Sequence, residues 1–125
     1  MDNQEIKVLL VDDDEDDYVM IRRLLSKAAR AFALEWIPNF EPALEAIGDN
    51  RHQACLVDYR MGEHNGLDLI RNAFEHSSPP PMIMLTGQND TQVDLEAIKA
   101  GATDYLAKSG ISSAQLERAI RYAIE

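Results

Sequence analysis

Four apolar runs in this chain end on residues able to do chemistry. Run 8–11 is followed by six acids in succession, Asp12, Asp13, Asp14, Glu15, Asp16 and Asp17. Run 54–57 is followed by Asp58, run 82–85 by Thr86 and run 105–107 by Lys108. Taken singly, each has an ordinary explanation. Acids suit a solvated loop and the positive end of a helix dipole, a threonine caps or turns the chain, and a lysine lies on the surface. Taken together in one crevice, acids, a hydroxyl and an ammonium supply the parts of a phosphoryl-transfer site. These are a nucleophile, oxygen ligands for a bridging metal, and donors for phosphoryl charge. Asp58 is the nucleophile in that assignment.

The acids divide by position. Asp14, Glu15, Asp16 and Asp17 read as a solvated loop and first helical turn. Asp12 and Asp13 directly end a buried strand and would face Asp58, where like-charged carboxylates raise one another's pKa unless a cation intervenes. Hard oxygen ligands without clustered His or Cys point to Mg²⁺, with Mn²⁺ as the substitute, rather than to zinc. A calcium EF-hand loop beginning at Asp12 fails, because its sixth position is Asp17 instead of glycine and its twelfth is Arg23. His52, His64 and His76 lie on different elements without ligand spacing and read as surface or loop histidines.

Positioning these groups requires a particular architecture. Strand-length apolar runs at 8–11, 34–37, 54–57, 82–85 and 105–107 alternate with stretches of helical period. The helical stripes are Ile21, Leu24, Leu25 and Ala28; Leu67, Ile70 and Phe74; and Leu116, Ala119, Ile120, Ala123 and Ile124. Pro42 suits a first helical turn, Gly48 and Gly101 stand as C-terminal caps, and residues 77–81 stop any helix before the fourth strand. Strands that are apolar on both faces and alternate strictly with helices imply a parallel sheet covered on two sides, a three-layer doubly wound α/β fold. In such sheets ligands bind at the carboxyl ends of the strands, where the winding reverses. The four chemical residues stand at those ends.

Composition sets the outer bounds. The 125 residues fit one domain spanning 1–125, with no internal linker or repeat. With 22 acids against 12 bases, the net charge of −10 provides no field for a nucleic-acid backbone or anionic lipid. A cation, or a basic patch on another protein, is the better partner. The single cysteine, Cys55, lies in an apolar run and reads as a packed thiol. No apolar run reaches bilayer length and residues 1–7 are polar, so a soluble, unexported, cytoplasmic protein is expected. The last helical stretch runs to Glu125 without Gly or Pro, which fits either a stand-alone protein or a piece of a longer chain.

Over residues 7–125 the sequence resembles the receiver domains of bacterial response regulators. The matching pieces are VLLVDD ending at Asp13, CLVD ending at Asp58, MIMLTG with Thr86 and Gly87, and GATDYLAK from Gly101 to Lys108. The resemblance implies a five-stranded (βα)5 flavodoxin-like sheet of order 2-1-3-4-5, with its ligand at the point where the winding reverses. It implies Mg²⁺ ligated by Asp13, Asp58 and the backbone carbonyl of Arg60, with Asp12 reaching it through water. Thr86 and Lys108 would contact the phosphoryl oxygens, and Gly87 would leave room for them. Tyr105 matches the switch aromatic, which turns inward when the Thr86 hydroxyl moves to the phosphate and so remodels the face of helix 4, strand 5 and helix 5. The implied partner is a histidine kinase or histidine phosphotransfer protein. The domain would signal, promoting only its own phosphorylation and dephosphorylation. Arg118, Arg121 and Tyr122, off the apolar stripe of helix 5, suggest a phosphorylation-dependent homodimer.

Three positions depart from the family pattern: Ser109 replaces a proline that follows a cis peptide, Gly62 replaces a common proline, and His64 replaces an apolar residue. Arg60 and Gln88 occupy places that the resemblance links to phosphoryl lifetime. Two other readings compete. A haloacid-dehalogenase-type phosphohydrolase would use Asp12 and Asp14 with Thr86 and Lys108, but the chain has Asp16 where Thr or Val is usual and lacks a late acidic motif and a cap. A pseudo-receiver would keep the fold as an interaction module without phosphate. A flavin site is disfavoured, because acids replace the amides and hydroxyls of a phosphate loop.

Overall fold

The computed structural model describes residues 5–61, 63–87 and 91–125, the side chains at 91 and 92 excepted. Gly62 and Gln88 lie outside the described residues or their described contacts. Five strands form one parallel sheet: β1 (Ile6–Val11), β2 (Phe32–Ile37), β3 (Ala54–Asp58), β4 (Met82–Thr86) and β5 (Asp104–Ala107). Five helices connect and follow them: α1 (Glu15–Ser26), α2 (Phe40–Gly48), α3 (Gly66–His76), α4 (Thr91–Ala100) and α5 (Ser113–Ile124). The spatial order is β2-β1-β3-β4-β5, with Val8 opposite both Leu34 and Ala54, and Cys55 opposite Met82. From β1 the chain winds outward to β2 and then crosses to β3. The reversal therefore falls between β1 and β3, and the residues at their carboxyl ends are Asp12 and Asp58.

Strand periodicity divides the core into two layers. Val8, Leu10, Leu56, Ile83 and Leu85 pack with Ile21 and Leu25 of α1 and Leu116 and Ile120 of α5. Leu9, Val11, Cys55, Val57, Met82 and Met84 face the other way, onto α2, α3 and Ala97 of α4. Successive side chains of a strand point to opposite faces, so strands buried on both sides must be apolar at every position.

The helix boundaries follow from local chemistry. Asp14 caps α1, its carboxylate accepting the Asp16 N–H at 2.9 Å, so Glu15, Asp16 and Asp17 occupy the first turn, where the helix dipole favours anions. Ser112 and Gln115 form a reciprocal capping box at the start of α5. Pro42 is the third residue of α2, inside the first turn, where no intrahelical partner for an N–H is lost.

Several expectations from the sequence are corrected. Gly48 is the last helical residue of α2 rather than its cap; the left-handed position is Asn50, with φ 57°. Asparagine tolerates that conformation because its side chain is short and polar. Gly101 does hold the left-handed position after α4, with φ 121°. Ala28 lies beyond the end of α1 at Ser26. Phe74 is 48% exposed, its ring lying where a Cβ on Gly101 would be, and Ile124 is also exposed. A short hairpin pairing Arg60–Met61 with His64–Asn65, unforeseen in the sequence, fills the connection from β3 to α3. The Lys108–Ser109 peptide is trans.

Gly66 opens α3 directly beneath the end of β3, and a Cβ there would stand 2.5 Å from the carbonyl oxygen of Asp58 and 2.9 Å from Val57 Cγ1. Both neighbours belong to a central strand that has little freedom to shift. Gly66→Ala should therefore lower stability by about 1–3 kcal/mol despite alanine's better helix propensity. Urea denaturation of the two proteins measures this, and an unchanged or raised midpoint would contradict the packing described.

Candidate functional site at the carboxyl ends of the strands

Asp12 is the first residue past β1 and is fully buried. One carboxylate oxygen, Oδ1, accepts the Asp14 N–H at 3.0 Å, while the Asp12 carbonyl accepts a hydrogen bond from Trp36 Nε1 at 2.6 Å. Trp36 stacks face to face on Tyr18, with ring centroids 4.6 Å apart, and the Arg22 guanidinium lies 5.3 Å from the Tyr18 ring centre on α1. The end of β1 is thus tied to β2 and α1 through the chain's only tryptophan.

Asp58 ends β3 and is also buried. Beyond it the chain is held by the Tyr59 N–H to the Leu85 carbonyl at 2.9 Å and the Gly66 N–H to the Tyr59 carbonyl at 2.8 Å. Lys108 follows β5, its own N–H bonded to the Thr86 carbonyl at 2.8 Å. Its ammonium lies 2.6 Å from Asp58 Oδ1 and also hydrogen-bonds Asp17 Oδ2. Asp12 Oδ2 is 3.4 Å from the same nitrogen, an ion-pair distance, yet it has no hydrogen-bond partner among the described residues. Close contact without bonding geometry leaves that oxygen electrostatically placed but unsatisfied.

The electrostatics follow from this crowding. Burial pushes the Asp12 carboxyl up to about 7; the Asp14 N–H and Lys108 oppose the rise, and the charge of Asp58 adds to it. Burial also raises Asp58, against the pull of Lys108. Burial alone would lower Lys108, but its hydrogen bonds to Asp17 and Asp58 outweigh that and raise it. Like charges brought together in a low-dielectric site resist ionising together, and a cation relieves the conflict.

Carboxylate oxygens of Asp12, Asp17 and Asp58 all lie within 4.8 Å of one another, a separation that a single hard cation can span. The orphaned Asp12 oxygen and the all-oxygen donor set fit Mg²⁺ or Mn²⁺. No histidine joins the cluster. His52 is buried against Glu35 Oε1 at 2.7 Å, His64 stacks on Phe40, and His76 contacts the Asn72 carbonyl in its own helix. Cys55 is fully buried, which pushes its thiol up and leaves it unreactive.

The remaining residues divide. Thr86 is buried at the end of β4, its hydroxyl donating to the Leu106 carbonyl over a long 3.5 Å. Tyr105 is 41% exposed. Gly87 is exposed, and a Cβ there would meet nothing within 4 Å. Asp13 is exposed, and Arg60 is exposed on the short hairpin. Asp14, the second acid of the phosphohydrolase reading, is a helix cap.

Asp17 is the residue that sequence reasoning missed. Its place in the acidic run groups it with Asp14, Glu15 and Asp16 as a solvated turn, yet it faces inward onto Lys108. The sequence does hold a signal: Asp17 precedes the buried Ile21 and Leu25 by four and eight positions, which places it on the inward stripe of α1.

Comparisons with known proteins agree with this geometry. The family model of the response regulator receiver domain matches residues 8–121. The response regulator protein TmoT of Ectopseudomonas mendocina is 33% identical over 111 residues, which cover 86% of this chain and 48% of TmoT. The chain spans about half the length, or less, of the curated relatives it matches. A CheY-like receiver domain protein from Methanospirillum hungatei JF-1 shares the fold, with a TM-score of 0.81 at 20% identity, covering 97% of this chain and 94% of that one. A response regulator protein from Burkholderia pseudomallei, whose structure contains a phosphorylated aspartic acid, a calcium ion and citrate, is 26% identical with a TM-score of 0.75, covering 97% of this chain and 67% of that one. With its strand order, its strand-end residues and a family match over nearly its whole length, this chain belongs to the response regulator receiver domain family.

Proposed function

We propose that the chain is a phosphoacceptor signalling domain in which Asp58 receives a phosphoryl group from a histidine kinase or histidine phosphotransfer protein. The observation that carries this reading is the Lys108 ammonium, 2.6 Å from Asp58 Oδ1 beside the unsatisfied oxygen of Asp12. An Asp58 oxygen attacks phosphorus as the P–N bond to the donor imidazole breaks, and the imidazole nitrogen keeps the electron pair. Lys108 and the Thr86 hydroxyl donate to the phosphoryl oxygens, whose charge needs fixed donors in a site shielded from water. Asp12, Asp13, Asp58 and the Arg60 carbonyl are the residues that would hold Mg²⁺, with the inward Asp17 beside them. Bound there, Mg²⁺ supplies the positive charge that lets several carboxylates and a phosphoryl group share one crevice.

The long Thr86 hydrogen bond and the exposure of Tyr105 support an unphosphorylated resting arrangement. Phosphorylation would draw the Thr86 hydroxyl toward Asp58, clear space behind it and let Tyr105 turn inward, changing the face of α4, β5 and α5. On that face Arg118 is exposed, as is Tyr122, whose ring lies under Arg121; Arg121 is also bonded to Glu117 at 3.0 Å within α5. Recruitment of Arg121 to a phosphorylation-dependent homodimer would require it to exchange that partner. Among the described residues no helix is long and apolar enough to cross a membrane. The proposed setting is the cytoplasm, with no direct nucleic-acid contact by this domain.

Intact-protein mass after incubation with acetyl phosphate and Mg²⁺ should show one phosphoryl adduct, lost in Asp58→Asn and on adding a chelator. A folded protein that takes no adduct would replace this reading with the pseudo-receiver.

The metal site has a separate thermodynamic signature. With Asp12 raised from about 4 to about 7, the folded state binds more protons than the unfolded state between those values. Stability without divalent ions therefore falls as pH rises through that window, and the loss is complete above it. Mg²⁺ binds the ionised native state, so millimolar Mg²⁺ should raise the melting temperature more at pH 8 than at pH 5. Equal shifts at both values, or none, would count against Asp12 as part of the metal site.

A further inference from the structure

Asp17 stands beside the acids that would hold Mg²⁺ and contacts no phosphoryl oxygen in the transfer described above, yet it takes one of the three N–H bonds of the Lys108 ammonium. The same ammonium forms an ion pair with Asp58 Oδ1 at 2.6 Å, while Asp12 Oδ2 stands 3.4 Å away with no hydrogen-bond partner among the described residues. The two partners of the Asp17 pair come from different elements, the first turn of α1 and the connection after β5. The connection after β5 leads into α5, whose first residue Ser113 donates its hydroxyl to the Leu24 carbonyl in the last turn of α1 at 2.7 Å. The side chains are 21% and 16% exposed, so solvent screens the pair only weakly.

Building on the phosphoacceptor reading, we propose that Asp17 is a positioning residue that competes with the phosphoryl group for Lys108 and so shortens the lifetime of the acyl phosphate on Asp58. When Asp58 is phosphorylated, its carboxylate charge moves out onto the phosphoryl oxygens, and Lys108 must serve them. The Asp17 carboxylate keeps its contact with the ammonium, while its own charge repels the incoming dianion. In hydrolysis a water oxygen bonds to phosphorus as the bond to the Asp58 oxygen breaks, and the electron pair returns to the carboxylate. The water proton passes to phosphate or solvent. Afterwards Lys108 again satisfies both Asp58 and Asp17, as it does in this structure. Asp17 thus weakens donor contacts to the phosphorylated state and favours the hydrolysed one.

The test labels the full chain with acetyl phosphate and Mg²⁺, removes the donor and follows decay of the adduct by mass. A parallel titration with beryllofluoride measures affinity for a phosphoryl mimic without turnover. Asp17→Asn, and Asp17→Ser as a smaller neutral alternative, should lengthen the half-life and tighten beryllofluoride binding by roughly fivefold, the scale of one partly buried ion pair. Asp16→Asn makes the same charge change at an exposed neighbour and should leave both values alone, while Asp17→Glu should return them toward wild type. Decay as fast as wild type in both neutral variants, or an equal lengthening in Asp16→Asn, would overturn the proposal while leaving the phosphoacceptor reading intact. A folded wild-type protein that takes neither adduct nor beryllofluoride would overturn both.

Discussion

A single ammonium set among buried carboxylates is the constraint around which the rest of the structure is arranged. Lys108 approaches Asp58, Asp17 and Asp12, which come from β3, α1 and the end of β1, so one side chain links three elements across the crevice. Burying charges is costly unless each finds a partner, and removing one member of such a group leaves the others uncompensated. The ion network leaves one Asp12 oxygen without a hydrogen-bond partner among the described residues. That residual deficit is one that a cation bound among these carboxylates would relieve.

The surrounding packing keeps the acids in place. Trp36 ties the backbone of Asp12 to β2, and its stacking on Tyr18 carries the tie to α1, the helix that supplies Asp17. Gly66 lets α3 begin in contact with the Asp58 carbonyl, a distance closed to any larger residue. The Lys108 N–H is anchored on the Thr86 carbonyl, so the ammonium and the hydroxyl are set by adjacent strand ends. The rigid part of the site is backbone and core. At its margin lie the Thr86 hydroxyl, with its long bond to the Leu106 carbonyl, and the exposed Tyr105 side chain.

Much of this fold is legible in the sequence. The five apolar runs are the five strands, each extended by one or two residues at an end; the three central strands are buried on both faces and so run apolar, while the edge strands β2 and β5 are only partly buried and admit Glu35 and Asp104. Harder to read are places where a local rule has two solutions. Gly48 looks like the cap of α2, but Asn50 takes the left-handed position two residues on. Phe74 satisfies the helical period of α3, yet its ring lies partly exposed over Gly101, where the missing Cβ leaves it room. The hairpin around residues 60–65 carries no apolar alternation to announce it.

The sequence by itself determined the order of the elements, the two-faced strands and the identity of the residues at the four strand ends. Those follow from periodicity and from the chain's own connectivity, which tertiary contacts do not alter. Helical spacing puts Asp17 on the stripe of Ile21 and Leu25, but only the tertiary structure decided that this stripe carries it onto Lys108. Asp13 and Asp17 are chemically alike, and composition does not distinguish them. The helical phase does: Asp14 starts α1, the burial of Ile21 and Leu25 sets its rotation, and that rotation carries Asp17 onto Lys108 while Asp13 stays exposed in the preceding loop.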